Sequence, residues 1–337
     1  MLRRFPAKIL LAVLLCCFSA QPAPAQTAPG GRAQAGPRPG LKKRTSSGAQ
    51  GFEQYAGRGP NRRLIRAAAG GRGDGPNADP LKIAAATEHY ERGVKYFEAG
   101  RYGPAARAFQ AAVELDAEWS EAYYNLGLTR ALLGQREDAA SAYQRAIELN
   151  PDSASALYNL GNLRLDSGSD GEAMALFERV LRISIKLRDA WYNLGVAYSR
   201  EGRAAEAAEA FTQASSLAPD ALAYYNLGLA YATLARYDEA ADAFAKAAAL
   251  NPSDARVYYN LGTAYGESGA NGEAAAAYRK ALRLRPGYAA ARFNLGLTYL
   301  RMDRARDARA QHRLLVKLDA EMARELKNLI TQRTGGR

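Results

Sequence analysis

Cysteine is confined to Cys16 and Cys17, and histidine to His89 and His312. A chain this poor in thiols and imidazoles offers no soft-ligand set for zinc and no Cys–His or Ser–His–Asp constellation for nucleophilic catalysis. Both cysteines lie within the first 25 residues, so the rest of the chain has no thiol for a disulfide or a nucleophile, and its stability must come from packing. No apolar run approaches the ~20 residues that a membrane-spanning helix needs. The glycines recur at long, regular intervals and not in a phosphate-cradling loop after a strand. No catalytic, cofactor-binding or metal-ligating residue is expected, and the chain does not read as an enzyme.

Residues 1–25 carry Arg3, Arg4 and Lys8, then ten apolar residues from Ile9 to Phe18, then small residues ending in Ala23-Pro24-Ala25. That order is the order of a secretory signal peptide with cleavage near Ala25, or alternatively near Ala20, and it predicts an exported protein, periplasmic or extracellular and envelope-associated. Leu15 stands before Cys16 where cleavage for lipidation needs a small residue. No transmembrane span is expected in the mature chain.

The net charge of +12 is unevenly distributed. Residues 26–80 hold ten basic side chains against three acidic ones, whereas beyond residue 80 the balance is 33 to 31. The 26–80 segment is rich in Gly, Pro, Ala and Arg and has almost no apolar periodicity, a composition that cannot offset its own ordering entropy, so a disordered basic linker is expected. It reads either as a solvated spacer or as an arm for an anionic surface such as envelope lipid or cell-wall polymer. Phe52 and Tyr55 are its only aromatics, too few for base stacking, and no nucleic acid partner is expected. Arg72-Gly73-Asp74 is read as a chance tripeptide of an Arg- and Gly-rich stretch.

Beyond residue 80 one period dominates. The tetrad Tyr-Asn-Leu-Gly or a close variant places glycine at 127, 161, 195, 228, 262 and 296, with spacings of 34, 34, 33, 34 and 34, and one step back falls on Gly93. Seven units follow: 86–119, 120–153, 154–187, 188–220, 221–254, 255–288 and 289–322. Unit positions 4, 7, 8 and 11 share one helical face, and positions 20, 24 and 27 share another, so each unit offers two amphipathic helices. Small residues at 8, 20 and 27 let helix axes approach, and large ones at 4, 11 and 24 fill the gaps. Gly100, Gly134, Gly168, Gly202 and Gly269 mark the end of the first helix, and Pro151, Pro219, Pro252 and Pro286 the end of the second. One unit cannot bury its apolar face alone, but a stack of seven can.

The ends should differ from the middle. Asp79-Pro80 predicts a helix cap followed by proline at the first helical position. Met322, Leu326, Leu329 and Ile330 predict a capping helix at about 319–331 that covers the last unit. Two irregularities stand inside the array. Ile183-Ser184-Ile185 replaces a proline-bearing turn, which leaves room for the second helix of the third unit to run on or to pack something extra, and the fourth unit is one residue short near Pro219-Asp220.

The recurring residues resemble those of the tetratricopeptide repeat (TPR) family: the fifth unit matches through Tyr224, Leu227, Gly228, Tyr231, Ala240, Phe244, Ala247 and Pro252, and the sixth through Tyr258, Leu261, Gly262, Tyr265, Ala274, Tyr278, Ala281 and Pro286. The resemblance covers residues 86 to about 322. It implies an all-α, right-handed superhelical solenoid of antiparallel helix pairs whose first helices line a concave groove for an extended or helical peptide. It therefore implies an adaptor or scaffold with a protein or peptide partner.

Candidate groove residues are the amides at unit position 6, namely Asn125, Asn159, Asn193, Asn226, Asn260 and Asn294, with the neighbouring position-5 aromatics Tyr124, Tyr158, Tyr192, Tyr225 and Tyr259. An amide donates and accepts, so a ladder of them can grip a peptide backbone without reading its sequence. The same residues have a packing alternative, because an aromatic stripe at helical spacing also serves a core. Six hydrogen bonds at about 1 kcal/mol net fall short of the ~8 kcal/mol of micromolar binding, so side-chain pockets must contribute. The lysine and arginine with which chaperone-tail-binding members of the family clamp a terminal carboxylate are missing, since position 5 is aromatic and position 6 is Asn.

Overall fold

A computed structural model describes residues 79–335; the signal-peptide and basic-linker readings fall outside the described residues. Those residues form fifteen helices: α1 (Pro80–Glu98), α2 (Tyr102–Leu115), α3 (Ser120–Leu132), α4 (Arg136–Leu149), α5 (Ala154–Asp166), α6 (Asp170–Ile183), α7 (Arg188–Arg200) and α8 (Ala204–Leu217). They continue with α9 (Ala221–Thr233), α10 (Tyr237–Leu250), α11 (Ala255–Ser268), α12 (Asn271–Leu284), α13 (Ala289–Arg301), α14 (Ala305–Leu315) and α15 (Ala320–Thr334). Among the described residues there is no strand. Helices α1–α14 are seven antiparallel pairs, and each helix packs on the next along the chain, so a unit touches only its neighbours.

Local chemistry sets the helix ends. The Asp79 carboxylate accepts from Leu81 N, with Pro80 at the first position, and Asp220, Asp254 and Asp319 cap α9, α11 and α15 in the same way. Each first helix ends one or two residues before unit position 15, where the chain takes a positive φ; five of the seven residues there are glycine, but Ala235 (φ 57°) and Asp303 (φ 55°) hold the same conformation. The isoleucine-bearing turn does not lengthen α6, which ends at Ile183 in register with Leu149, Leu217, Leu250 and Leu284. The Trp191 indole Nε1 donates to Ile185 O at 2.8 Å and closes that turn without proline.

The core follows the repeat. Positions 20 and 27 are fully buried in all seven units, as Ala except at Val180 and Leu315. Position 8 is glycine because the second helix's aromatic lies on it: a Cβ at Gly93, Gly127, Gly161, Gly195, Gly228 or Gly262 would stand 2.7–2.8 Å from the ring of Phe109, Tyr143, Phe177, Phe211, Phe244 or Tyr278. The last unit solves this differently. Its α14 is shorter, His312 stands at position 24, and Leu326 of α15 takes the aromatic's place, with Cδ2 2.6 Å from where a Cβ on Gly296 would sit. The capping helix thus completes the seventh core, burying Ala323, Leu326 and Ile330.

Candidate functional site

Positions 4, 7 and 11 of a first helix lie on the face turned toward the second helices, and position 6 lies on the opposite face. Along that opposite face, first helices touch one another: α3 with α5, α5 with α7, and α11 with α13. The asparagines stand there.

The six asparagines are paired with tyrosines of the preceding unit. Nδ2 of Asn125 donates to Tyr90 Oη at 2.7 Å, Asn159 to Tyr124 at 3.5 Å, Asn193 to Tyr158 at 3.3 Å, Asn226 to Tyr192 at 3.1 Å, Asn260 to Tyr225 at 2.9 Å and Asn294 to Tyr259 at 3.3 Å. Each tyrosine ring in turn packs on the position-24 aromatic of its own unit, with centroids 5.5–6.0 Å apart. The ladder is therefore a chain of clasps between consecutive units, each tied down to the core. Its ends are consistent with that role. Glu91 stands at position 6 of the first unit in place of asparagine, and Phe293, at position 5 of the last, carries no hydroxyl.

Burial favours the neutral phenol in two of the clasps. It pushes the Tyr90 phenol up to about 12, helped by the nearby Glu121 carboxylate and opposed by the Asn125 amide; it raises Tyr192 as well, with Asp220 beside it. Both phenols are neutral near pH 7, so each oxygen accepts the amide hydrogen.

The clasp uses one of the donors on each amide and leaves reach for a ligand unequal. Asn125, Asn193, Asn226 and Asn294 are half-buried, whereas Asn159 and Asn260 are 1% and 7% exposed. Tyr124, Tyr192 and Tyr225 are half-buried, and Tyr158 and Tyr259 are buried. Asn193 also donates to Oδ1 of Asn162 at 2.7 Å, which extends the polar network in the third and fourth units. On the same face, at position 9, Val196, Leu229 and Leu297 are half-buried, and Leu222 at position 2 of α9 is exposed. Half-buried amides interleaved with aliphatic side chains are a surface for an extended chain: amides for its backbone, aliphatics for its side chains.

Among the described residues, no group of three or more His, Cys, Asp or Glu is placed to hold a metal ion, and no helix is long and apolar enough to cross a membrane. His89 is half-buried on α1 and His312 half-buried on α14, at opposite ends of the stack. Two features were missed from sequence. The tyrosine–asparagine pairing was signalled by the 35-residue offset between position 5 of one unit and position 6 of the next. The other is a cleft of about 710 Å³ between α6, α7 and α8 on the side of the second helices, lined by Trp191, Leu194, Tyr198, Ile185 and several glutamates.

Stacked helix pairs with this spacing define the class of helix-pair repeat solenoids, and comparison with known proteins places the chain within it. A family model described as tetratricopeptide repeat matches residues 132–186 and 192–255, and one described as TPR repeat matches 264–303. Among solved structures, YrrB, reported as a TPR protein with an unusual peptide-binding site, is 28% identical with a TM-score of 0.52, over 56% of this chain and 97% of its own. The C-terminal part of a TPR repeat-containing protein from Cytophaga hutchinsonii, 17% identical with a TM-score of 0.57, covers 70% of this chain and 98% of its own, and supports the fold alone. No curated protein matches. The chain is a tetratricopeptide repeat protein, a fold that suggests a protein–protein interaction scaffold.

Proposed function

We propose that the first-helix face binds an extended peptide segment of a partner protein. The observation that carries this reading is the set of half-buried amides of Asn125, Asn193, Asn226 and Asn294, each already oriented by a tyrosine hydroxyl and flanked by aliphatic side chains. An amide held in place before the ligand arrives loses little rotamer entropy on binding. A site built this way reads backbone more than sequence, and Leu222, Leu229 and Val196 supply the apolar contacts that hydrogen bonds alone do not. The similarity to YrrB, whose reported property is a peptide-binding site, supports the same reading.

A peptide array probed with the protein tests it. Asn193→Ala and Asn226→Ala together should weaken array binding about tenfold or more, as two charge-neutral hydrogen bonds are worth roughly 1–3 kcal/mol. Leu229→Arg, which leaves every clasp in place, should do the same by blocking the face. Unchanged binding by both variants, with melting behaviour intact for Leu229→Arg, removes this face from the function.

We also propose that the protein is exported, on the strength of the basic, apolar and small-residue order in residues 1–25. Amino-terminal sequencing of the protein from its native cell should begin at Gln26; an intact Met1 start in the soluble intracellular fraction overturns it.

A further inference from the structure

The cleft between α6, α7 and α8 lies on the face opposite the asparagine ladder. Its floor is apolar: Leu181 and Leu194 are buried there, and Trp191 and Tyr198 form its sides. Ile185 stands at the unit position that holds proline in other turns and is 66% exposed. Because the Trp191 indole donates to Ile185 O, its polar edge is satisfied within the chain and its ring has apolar contacts left to make. The lining carries Glu178, Glu206 and Glu209 with Arg182, and Arg203 lies beside it over the Tyr198 ring, so carboxylates outnumber guanidinium groups three to two. Glu178 accepts from Tyr198 Oη at 2.9 Å and Glu206 pairs with Arg203 at 2.9 Å, which fixes the first two carboxylates in place. An apolar floor under an acidic rim fits an aliphatic segment flanked by arginines.

The chain contains such a segment. Leu64-Ile65 is the one pair of adjacent large aliphatic residues between Gln26 and Pro80, and Arg62, Arg63 and Arg66 bracket it. It lies outside the described residues, and its distance along the chain is permissive. Thirteen residues from Arg66 to Asp79 span up to ~45 Å when extended. Three steps along the stack from α1 to α7, at the ~8–10 Å spacing of packed helices, amount to about 30 Å.

We propose that Arg62-Arg63-Leu64-Ile65-Arg66 docks in this cleft in cis, with Leu64 and Ile65 on the apolar floor beside Trp191 and the arginines on the glutamate rim. The arm is then held on the outer side of the stack, and the ladder face stays open. The site is independent of the peptide-binding reading, since the two lie on opposite faces of α7.

Tryptophan fluorescence in the full chain tests this. Trp119 is buried, so acrylamide quenching reports Trp191. Leu64→Ser/Ile65→Ser, which leaves the solenoid untouched, should raise the quenching constant about twofold as the indole loses its cover. Glu206→Gln/Glu209→Gln should do so too, and high salt should mimic it in the parent chain. Equal quenching in the parent and both variants overturns the proposal. Shielding that disappears on hundredfold dilution assigns the cleft to the arm of a second copy and overturns docking in cis. Peptide-array binding is expected to be unchanged in all of these variants.

Discussion

Asn226 Nδ2 donates to the Tyr192 hydroxyl at 3.1 Å across 34 positions, whereas the five other clasps span 35. The fourth unit is one residue short, and the shortening is absorbed in the turn before Asp220, which caps α9 directly. The deletion changes the connection and not the contact. A clasp that survives a register change in the chain is set by how consecutive units stack, not by sequence spacing.

Tyr192→Phe removes the acceptor of that clasp while keeping the ring on Phe211. The protein should lose about 0.5–1.5 kcal/mol, since the freed Asn226 amide is half-buried and regains water. Paired with Asn226→Ala in a double-mutant cycle, it should show a coupling of at least ~0.5 kcal/mol by denaturant melting. Additive effects would show that the hydrogen bond contributes nothing to the interface between units.

Gly195→Ala puts a methyl 2.8 Å from the Phe211 ring and should cost about 1–3 kcal/mol by overpacking. Phe211→Leu in the same chain should recover part of that loss. Gly171→Ala, where nothing lies within 4 Å, should stay within roughly 0.5 kcal/mol of the parent. Thermal melts of the four proteins decide it.

Ala235 occupies a left-handed conformation that five sister positions give to glycine. Ala235→Gly should stabilise the protein by up to about 1 kcal/mol, the strain relieved being partly offset by the entropy of a freer unfolded chain. A fall in melting temperature would mean that the turn at 235 is not strained.

Alkaline pH should unlock the clasps. Burial raises the Tyr90 phenol to about 12, and Tyr143 and Tyr278 upward as well, so the folded state holds protons that the unfolded chain releases near pH 10. The associated stability is complete below pH 10 and is lost as pH climbs from 10 toward 12; for Tyr90 it is on the order of 2–3 kcal/mol. Absorbance of tyrosinate should therefore lag behind that of model tyrosine and then rise together with loss of helical circular dichroism. A tyrosinate absorbance that reaches its full value near pH 10 while the helical circular dichroism is intact would contradict this.

The sequence by itself determined the fold, because a 34-residue recurrence of small and large side chains at helical spacing admits one solution, stacked helix pairs. Gly127 and Tyr143 each recur at their unit positions for the same reason, and the contact between them lies within one unit, where a local pattern is enough. The ends of the helices were legible too, from Asp79-Pro80 to the glycines at position 15. What each ladder residue does was not. Asn193 could face a ligand, a neighbour or both, and only the stacking of α7 on α5 places its amide on Tyr158 and Asn162, because that pairing joins groups 35 and 31 positions apart. Tertiary structure likewise decided that Leu326, and not His312, fills the seventh core, and that Ile185 and Trp191 border a cleft. Both outcomes depend on how helices lean on one another, which is settled by close packing in three dimensions and leaves no period in the chain.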